Sequence, residues 1–187
     1  MERITVFKEV LSRTLSRRTD RKNCIDDVVE SVSAHPDELP ALYTLITDTD
    51  EKTAWRAAWA CKKLAEKNPE WFLDKRTSMM EIALHTKHSG IKRELLSTLL
   101  NQPLDDVMSI AFFNGCMEWM FSPGESVAVQ AFSIHLAYKL CEYEPELMPE
   151  LQVYLENTTT GYFSAGIQSA VKNTLKKIRR NQKKGRK

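Results

Sequence analysis

The 187-residue sequence has few of the features that mark a β-protein. It contains only six glycines, and no segment alternates apolar and polar residues between hairpin turns. These absences argue against a β-sandwich or a β-barrel, and the remaining composition favours an all-α fold.

The four cysteines are far apart, and no Cys-x-x-Cys motif occurs. A disulfide framework or a zinc site would show closer and more regular spacings. Each cysteine also lies among apolar residues of a helical pattern, so we predict buried, reduced thiols at Cys24, Cys61, Cys116 and Cys141.

No apolar run approaches the roughly 18 residues that a membrane-spanning helix requires. Charged residues also interrupt the first ten positions, which therefore lack the apolar centre of a signal peptide: Glu2, Arg3, Lys8 and Glu9. The expected location is cytoplasmic, without a membrane partner.

The sequence shows no glycine-rich phosphate loop, no paired-carboxylate motif, and no serine or cysteine elbow. His85 and His88 have a spacing at which two imidazoles can share a metal, but no third ligand accompanies them. We therefore predict no catalytic residue, no cofactor and no metal. A non-catalytic protein is favoured, and an enzymatic activity remains open.

Four prolines divide the chain at near-regular intervals. Pro36, Pro69, Pro103 and Pro145 are separated by 33, 34 and 42 residues, and each stands where proline favours the first turn of a helix. A helical unit of this length is typical of an α-solenoid. We predict a single solenoid domain over 1–180, with an N-terminal helical cap at 1–34, repeat units at 36–68, 69–102, 103–144 and 145–180, and a disordered basic tail at 181–187.

Apolar residues recur at helical spacing between these prolines. The pattern predicts a helix close after each proline, including 105–121 with Asp105 and Asp106 at its start. It also predicts a second helix over 51–67 in the first unit. Ser122-Pro123-Gly124-Glu125 has the form of a capping box and predicts another helix over 125–142. The remaining predicted helices cover 3–17, 24–33, 39–46, 69–85, 91–101, 146–155 and 163–180.

Two units also align directly. KLAEKNPEWF (Lys63–Phe72) matches KLCEYEPELM (Lys139–Met148) at five positions, with an offset of 76 residues. Together with TDEKTAWRAAWACKKLA, this helix-turn-helix pattern resembles the HEAT and armadillo repeat families. The resemblance implies a right-handed α-α superhelix of about four helical pairs plus the N-terminal cap.

The resemblance also implies that the second helix of each pair lines a concave groove. If Ala54, Ala57 and Cys61 face the first helix, basic and aromatic residues lie on the other side and recur in later units. The candidate partner-binding groove consists of Arg56, Trp59, Lys63, Arg93, His135, Lys139, Lys172 and Lys176. We expect a protein partner there. The competing interpretation makes Trp59 a core residue and the lysines a solvated face.

Charge is distributed unevenly, with +4 in residues 1–22, +9 in residues 161–187 and −11 in residues 23–160. The basic tail predicts weak, unspecific contact with nucleic acid. The alternative function is a nucleic-acid-binding protein related to the DNA-alkylation-repair glycosylases, which are built from HEAT-like repeats and which this chain resembles in Trp55, Trp59 and its basic groove candidates. It differs from them in its acidic body.

Overall fold

A computed structural model describes residues 2–16, 21–105, 107 and 109–184. The regular structure of these residues is helical, as predicted. Ten α-helices are present in this part of the chain: α1 (Glu2–Ser16), α2 (Arg21–Ala34), α3 (Leu39–Thr44), α4 (Glu51–Lys67), α5 (Arg76–His85), α6 (Ser89–Leu100), α7 (Ile110–Trp119), α8 (Val127–Tyr143), α9 (Met148–Asn157) and α10 (Ala165–Lys184).

Consecutive helices pack as pairs, α1 with α2 through to α9 with α10. The second members α2, α4, α6, α8 and α10 lie side by side in chain order and form what we call the second-helix layer. The first members α1, α3, α5, α7 and α9 form the first-helix layer, in which α1 contacts α3 and α5 contacts α7. This arrangement is the predicted all-α solenoid; the handedness of its superhelix stays a prediction.

Helices begin close after three of the four prolines. A 3₁₀ turn opens at Pro36, Pro69 and Pro145, and an α-helix follows each turn directly. The missing N–H of proline costs nothing in a first turn, where no intrahelical acceptor is available. Helix α4 has the predicted limits because the Asp50 carboxylate accepts a hydrogen bond from the Thr53 N–H at 3.1 Å.

The prediction for Pro103 is wrong, because this proline opens no 3₁₀ turn in the described residues and the helix predicted from 105 begins only at Ile110, as α7. The intervening segment is held by tertiary contacts: the Pro103 carbonyl accepts a hydrogen bond from Arg76 Nη1 at 2.7 Å, and Leu104 is fully buried. Ser109 then caps α7 by accepting the Phe112 N–H. Asp105 accordingly lies in a turn and does not open a helix.

The predicted capping box is also wrong. Residues 122–125 form a turn closed by the Glu125 N–H and the Ser122 carbonyl, and Ser126 is the residue that caps α8. The Glu125 carboxylate instead forms an ion pair with Lys92 of α6. A half-buried carboxylate gains more from a buried ammonium group than from one backbone N–H.

Apolar side chains of both layers form one continuous core along the domain. The four cysteines are free and buried, as predicted. Burial raises the pKa of the Cys61 and Cys116 thiols, and it raises that of Cys141 to about 12. These thiols therefore stay protonated at neutral pH.

Helix α10 extends four residues past the predicted end at 180, as far as Lys184. Asn181 and Gln182, which the pattern placed in a disordered tail, donate hydrogen bonds to Tyr138 and Gln152. The last part of the predicted tail, 185–187, lies outside the described residues. Within the described ranges, each helix is too short or too polar to cross a membrane.

Candidate interaction surface

All eight predicted groove residues lie on the second-helix layer, on α4, α6, α8 and α10. Their environments differ widely, because several of them are used to hold neighbouring helices together. The layer separates into an aromatic part on α4, a set of internally bound cations, and a basic cleft between α8 and α10.

The aromatic part is a pair of half-buried tryptophans on one face of α4. The rings of Trp55 and Trp59 stack with centroids 6.0 Å apart, and the Lys63 ammonium lies 5.9 Å from the Trp59 ring centroid. We call Trp55, Trp59 and Lys63 the tryptophan face. Gly90 of α6 makes room for it, since a Cβ at that position would lie 2.9 Å from the Trp55 ring and 2.8 Å from His88.

Arg56 is buried and lies outside any exposed groove, contrary to the sequence prediction. Its Nη1 donates a hydrogen bond of 2.6 Å to the carbonyl of Leu15, near the end of α1. The last carbonyls of a helix have no intrahelical donor, so a cation there satisfies a free acceptor and opposes the helix dipole. Arg56 thus ties the first helical pair to the second.

Three more of the predicted cations have partners inside the chain. Lys63 forms an ion pair with Asp26 of α2, and Arg93 pairs with Glu94 at 2.5 Å. Lys139 donates hydrogen bonds to the backbone carbonyls of Leu100, at 2.7 Å, and Gln102. These three side chains are thereby held by contacts within the fold.

His135 and Lys139 do come together, in a cleft of about 480 Å³ that we call the basic cleft. Burial, with a smaller effect from Lys177, holds the pKa of His135 below its usual value; burial likewise lowers the pKa of Lys139. The ammonium of Lys177 lies 5.5 Å from the Tyr138 ring centroid. The basic cleft is lined by Leu100, His135, Tyr138, Lys139, Glu142, Tyr143 and Lys177.

Lys172 and Lys176 are exposed on α10, but neither lines the basic cleft. Lys177 occupies the position that the sequence analysis gave to them. The sequence did contain a signal for the orientation of α10. Ile167, Val171 and Ile178 form a buried apolar stripe, and this stripe fixes which face of the helix packs against the domain.

Lys92 was also missed by the sequence analysis, which selected its neighbour Arg93. Its ammonium pairs with Glu125 and lies 4.4 Å from the Trp119 ring centroid, with side-chain exposures of 8% for Lys92 and 13% for Glu125. This buried pair joins α6 to the segment before α8. No local pattern distinguishes a buried lysine from an exposed one.

The two histidines considered as metal ligands have other roles. His88 caps α6 through Nδ1, which accepts the Ile91 N–H at 3.2 Å. His85 Nδ1 lies 2.8 Å from the Glu81 carbonyl oxygen. Among the described residues, no three His, Cys, Asp or Glu side chains are grouped so that they could hold a metal.

The comparison with protein families identifies the repeat. The family described as the HEAT repeat domain matches residues 11–178, which is most of the chain. The match runs from within α1 to within α10 and confirms the resemblance found in the sequence. No curated protein matches the chain.

Proposed function

The chain belongs to the HEAT repeat family, and on that premise we propose that it is a non-catalytic interaction module. In this proposal the exposed side of the second-helix layer forms a concave groove that binds a protein partner. Solenoids use such extended surfaces for binding, because each repeat adds one helix to a continuous platform.

The observation that carries the proposal is the tryptophan face. Trp55 and Trp59 stack on each other yet remain only half-buried, on a helix that α2 and α6 flank on its two sides. Tryptophan is over-represented among the residues that contribute most to protein–protein affinity, and a cation beside its ring is a favourable contact. A partner that covers these rings would bury apolar surface that the fold leaves in water.

Several Lys and Arg side chains of this surface are bound within the chain, which favours a protein partner over a nucleic acid. Binding to a phosphate backbone depends on free Lys and Arg side chains that replace counterions. Arg56, Lys63 and Lys139 instead bind carbonyls or a carboxylate of the chain itself. The part of the layer formed by α4, α6 and α8 therefore offers aromatic rings more than available charge.

The experiment that tests the proposal is affinity capture with two tryptophan variants. Immobilised wild-type protein is compared with Trp59→Ala and with Trp71→Ala, each in lysate with and without nuclease treatment. Trp71 is a matched control, because it is also half-buried but lies in the 3₁₀ turn before α5, away from the tryptophan face. We expect a specific protein to be retained by the wild type and by Trp71→Ala, and lost with Trp59→Ala.

Thermal melting of each variant must show that it is folded. Equal retention of the same protein by Trp59→Ala would contradict the proposal. Retention that disappears on nuclease treatment would instead support the nucleic-acid alternative.

A further inference from the structure

A second surface lies on the opposite side of the domain, in the first-helix layer. Helices α7 and α9 are separated by an open groove of about 620 Å³, which we call the first-helix groove. It is lined by Met117 and Glu118 of α7 and by Pro149, Glu150, Val153, Tyr154 and Asn157 of α9.

The groove arises from the way in which α9 is packed. Helix α9 rests on α8 and α10, and it approaches the end of α7 through Tyr154, whose ring lies 5.5 Å from that of Phe121. Phe121 also contacts Phe163, with centroids 5.2 Å apart. These three aromatic rings form a cluster where α9 meets the segment that follows α7.

The floor of the groove is apolar and exposed. Val153 is 57% exposed and Tyr154 is 39% exposed, and Met117 and Pro149 continue the apolar lining. Glu150, Val153, Tyr154 and Asn157 follow the three- and four-residue steps of one helix face. Two helices with such a face between them form the kind of groove that receives an amphipathic helix.

The acidic residues of the groove indicate which kind of helix it binds. Glu118 and Glu150 are exposed at its sides, no Lys or Arg lines it, and neither carboxylate has an ion-pair partner among the described residues. An occupant with apolar residues flanked by Lys or Arg would complement both the floor and the sides.

The basic helices of a second copy do not meet this requirement. Leu11 and Leu15 of α1 and Val171 and Ile178 of α10 are buried in their own domain. Of the α1 side chains that the structure describes, Val10 is the one exposed apolar residue, and a single residue does not form an apolar helix face. We propose that the first-helix groove docks a cationic amphipathic helix of a different protein. This site is separate from the second-helix layer and does not depend on the function proposed above.

The test uses two fluorescein-labelled helical peptides of equal length, one built from leucine and lysine and the other from leucine and glutamate. Fluorescence anisotropy measures their binding to the wild type and to Glu118→Lys/Glu150→Lys. We expect the wild type to bind the lysine peptide about tenfold more tightly, which corresponds to about 1.4 kcal/mol, and the charge-reversed variant to prefer the glutamate peptide.

Two further variants separate the groove from the charge of the whole protein. Asp37→Lys/Glu70→Lys makes the same change in net charge at exposed positions outside the groove and should keep the preference for the lysine peptide. Val153→Asn should weaken binding of the lysine peptide, because it places a polar amide on the apolar floor without changing the charge of the groove. The proposal is overturned if neither peptide binds, if Glu118→Lys/Glu150→Lys keeps the wild-type preference, if the control reverses it equally, or if Val153→Asn binds as the wild type does.

Discussion

The cations of the inner second helices and those of the last helix have the same chemistry and different surroundings. On α4, α6 and α8, Arg56, Lys92 and Lys139 are bound to carbonyls or to a carboxylate of a neighbouring segment. On α10, Lys172 and Lys176 are exposed. The inner cations hold successive pairs of the solenoid together, whereas Lys172 and Lys176 face solvent.

Position in the solenoid explains this difference. An inner second helix has a neighbour on each side, so its long side chains reach the ends and acids of adjacent helices. Among the described residues, helix α10 has one second-helix neighbour, α8. Exposed lysines give this helix a polar face of the kind that a repeat without a further neighbour needs. Lysine therefore stabilises the fold through internal contacts in one region and provides a hydrated surface in the other.

The largest expected effect is that of Lys92→Met, which keeps the length of the side chain and removes its charge. Glu125 would be left half-buried without its partner, and breaking such a pair costs about 3–5 kcal/mol. Chemical denaturation measures the change in the free energy of unfolding. Lys176→Met on α10 is the matched control and should change this free energy by less than about 0.5 kcal/mol.

The double variant Lys92→Met/Glu125→Gln sharpens this result, because it also removes the unpaired charge. We expect it to recover much of the lost stability. A Lys92→Met protein as stable as the wild type would show that the inner and terminal cations do not differ energetically.

Arg56→Met should have the next largest effect. It keeps part of the buried aliphatic stem but removes the donor to the Leu15 carbonyl, and an unsatisfied buried acceptor costs about 1–3 kcal/mol. Because this contact joins α1 to α4, hydrogen exchange should increase first in α1 and α2. Uniform destabilisation along the chain, without a local change in exchange, would contradict a joining role for Arg56.

A smaller effect concerns the pH dependence of stability at the basic cleft. Burial and Lys177 lower the pKa of His135 in the folded protein, so the unfolded chain takes up a proton more readily. The stability associated with neutral His135 is therefore present above the ordinary histidine pKa and is lost as the pH falls through the folded pKa. His135→Gln should reduce the fall in melting temperature between about pH 7.5 and about pH 5.5.

The charged groups that line the cleft with His135 are Lys139, Lys177 and the carboxylate of Glu142. An unchanged pH profile in His135→Gln would assign the dependence to other groups.

The smallest effect on stability is expected for Lys172→Glu/Lys176→Glu. Both side chains are exposed, so melting should hardly change. Retention on a phosphate resin should fall, because the terminal helix loses two cations and gains two acids. A marked loss of stability would show that α10 holds its cations as the inner helices do.

Much of the fold could be predicted because helices obey local rules. The spacing of apolar residues, the cap at Asp50 and the prolines at positions 36, 69 and 145 placed most helices close to their observed limits. The start of α7 could not be placed in this way. Pro103 has the same local character as the other prolines, but contacts with Arg76 and the burial of Leu104 hold its segment out of a helix.

The sequence by itself determined the all-α class, the repeat and the layer on which the candidate residues lie, because these depend on periodicity along the chain. Tertiary structure alone decided which cations are available. Arg56 and Lys92 are buried because a carbonyl of α1 and the carboxylate of Glu125 lie within their reach, and Lys177 enters the basic cleft because packing sets the rotation of α10. A long side chain takes its role from the neighbours that it can reach, and those neighbours come from distant parts of the chain.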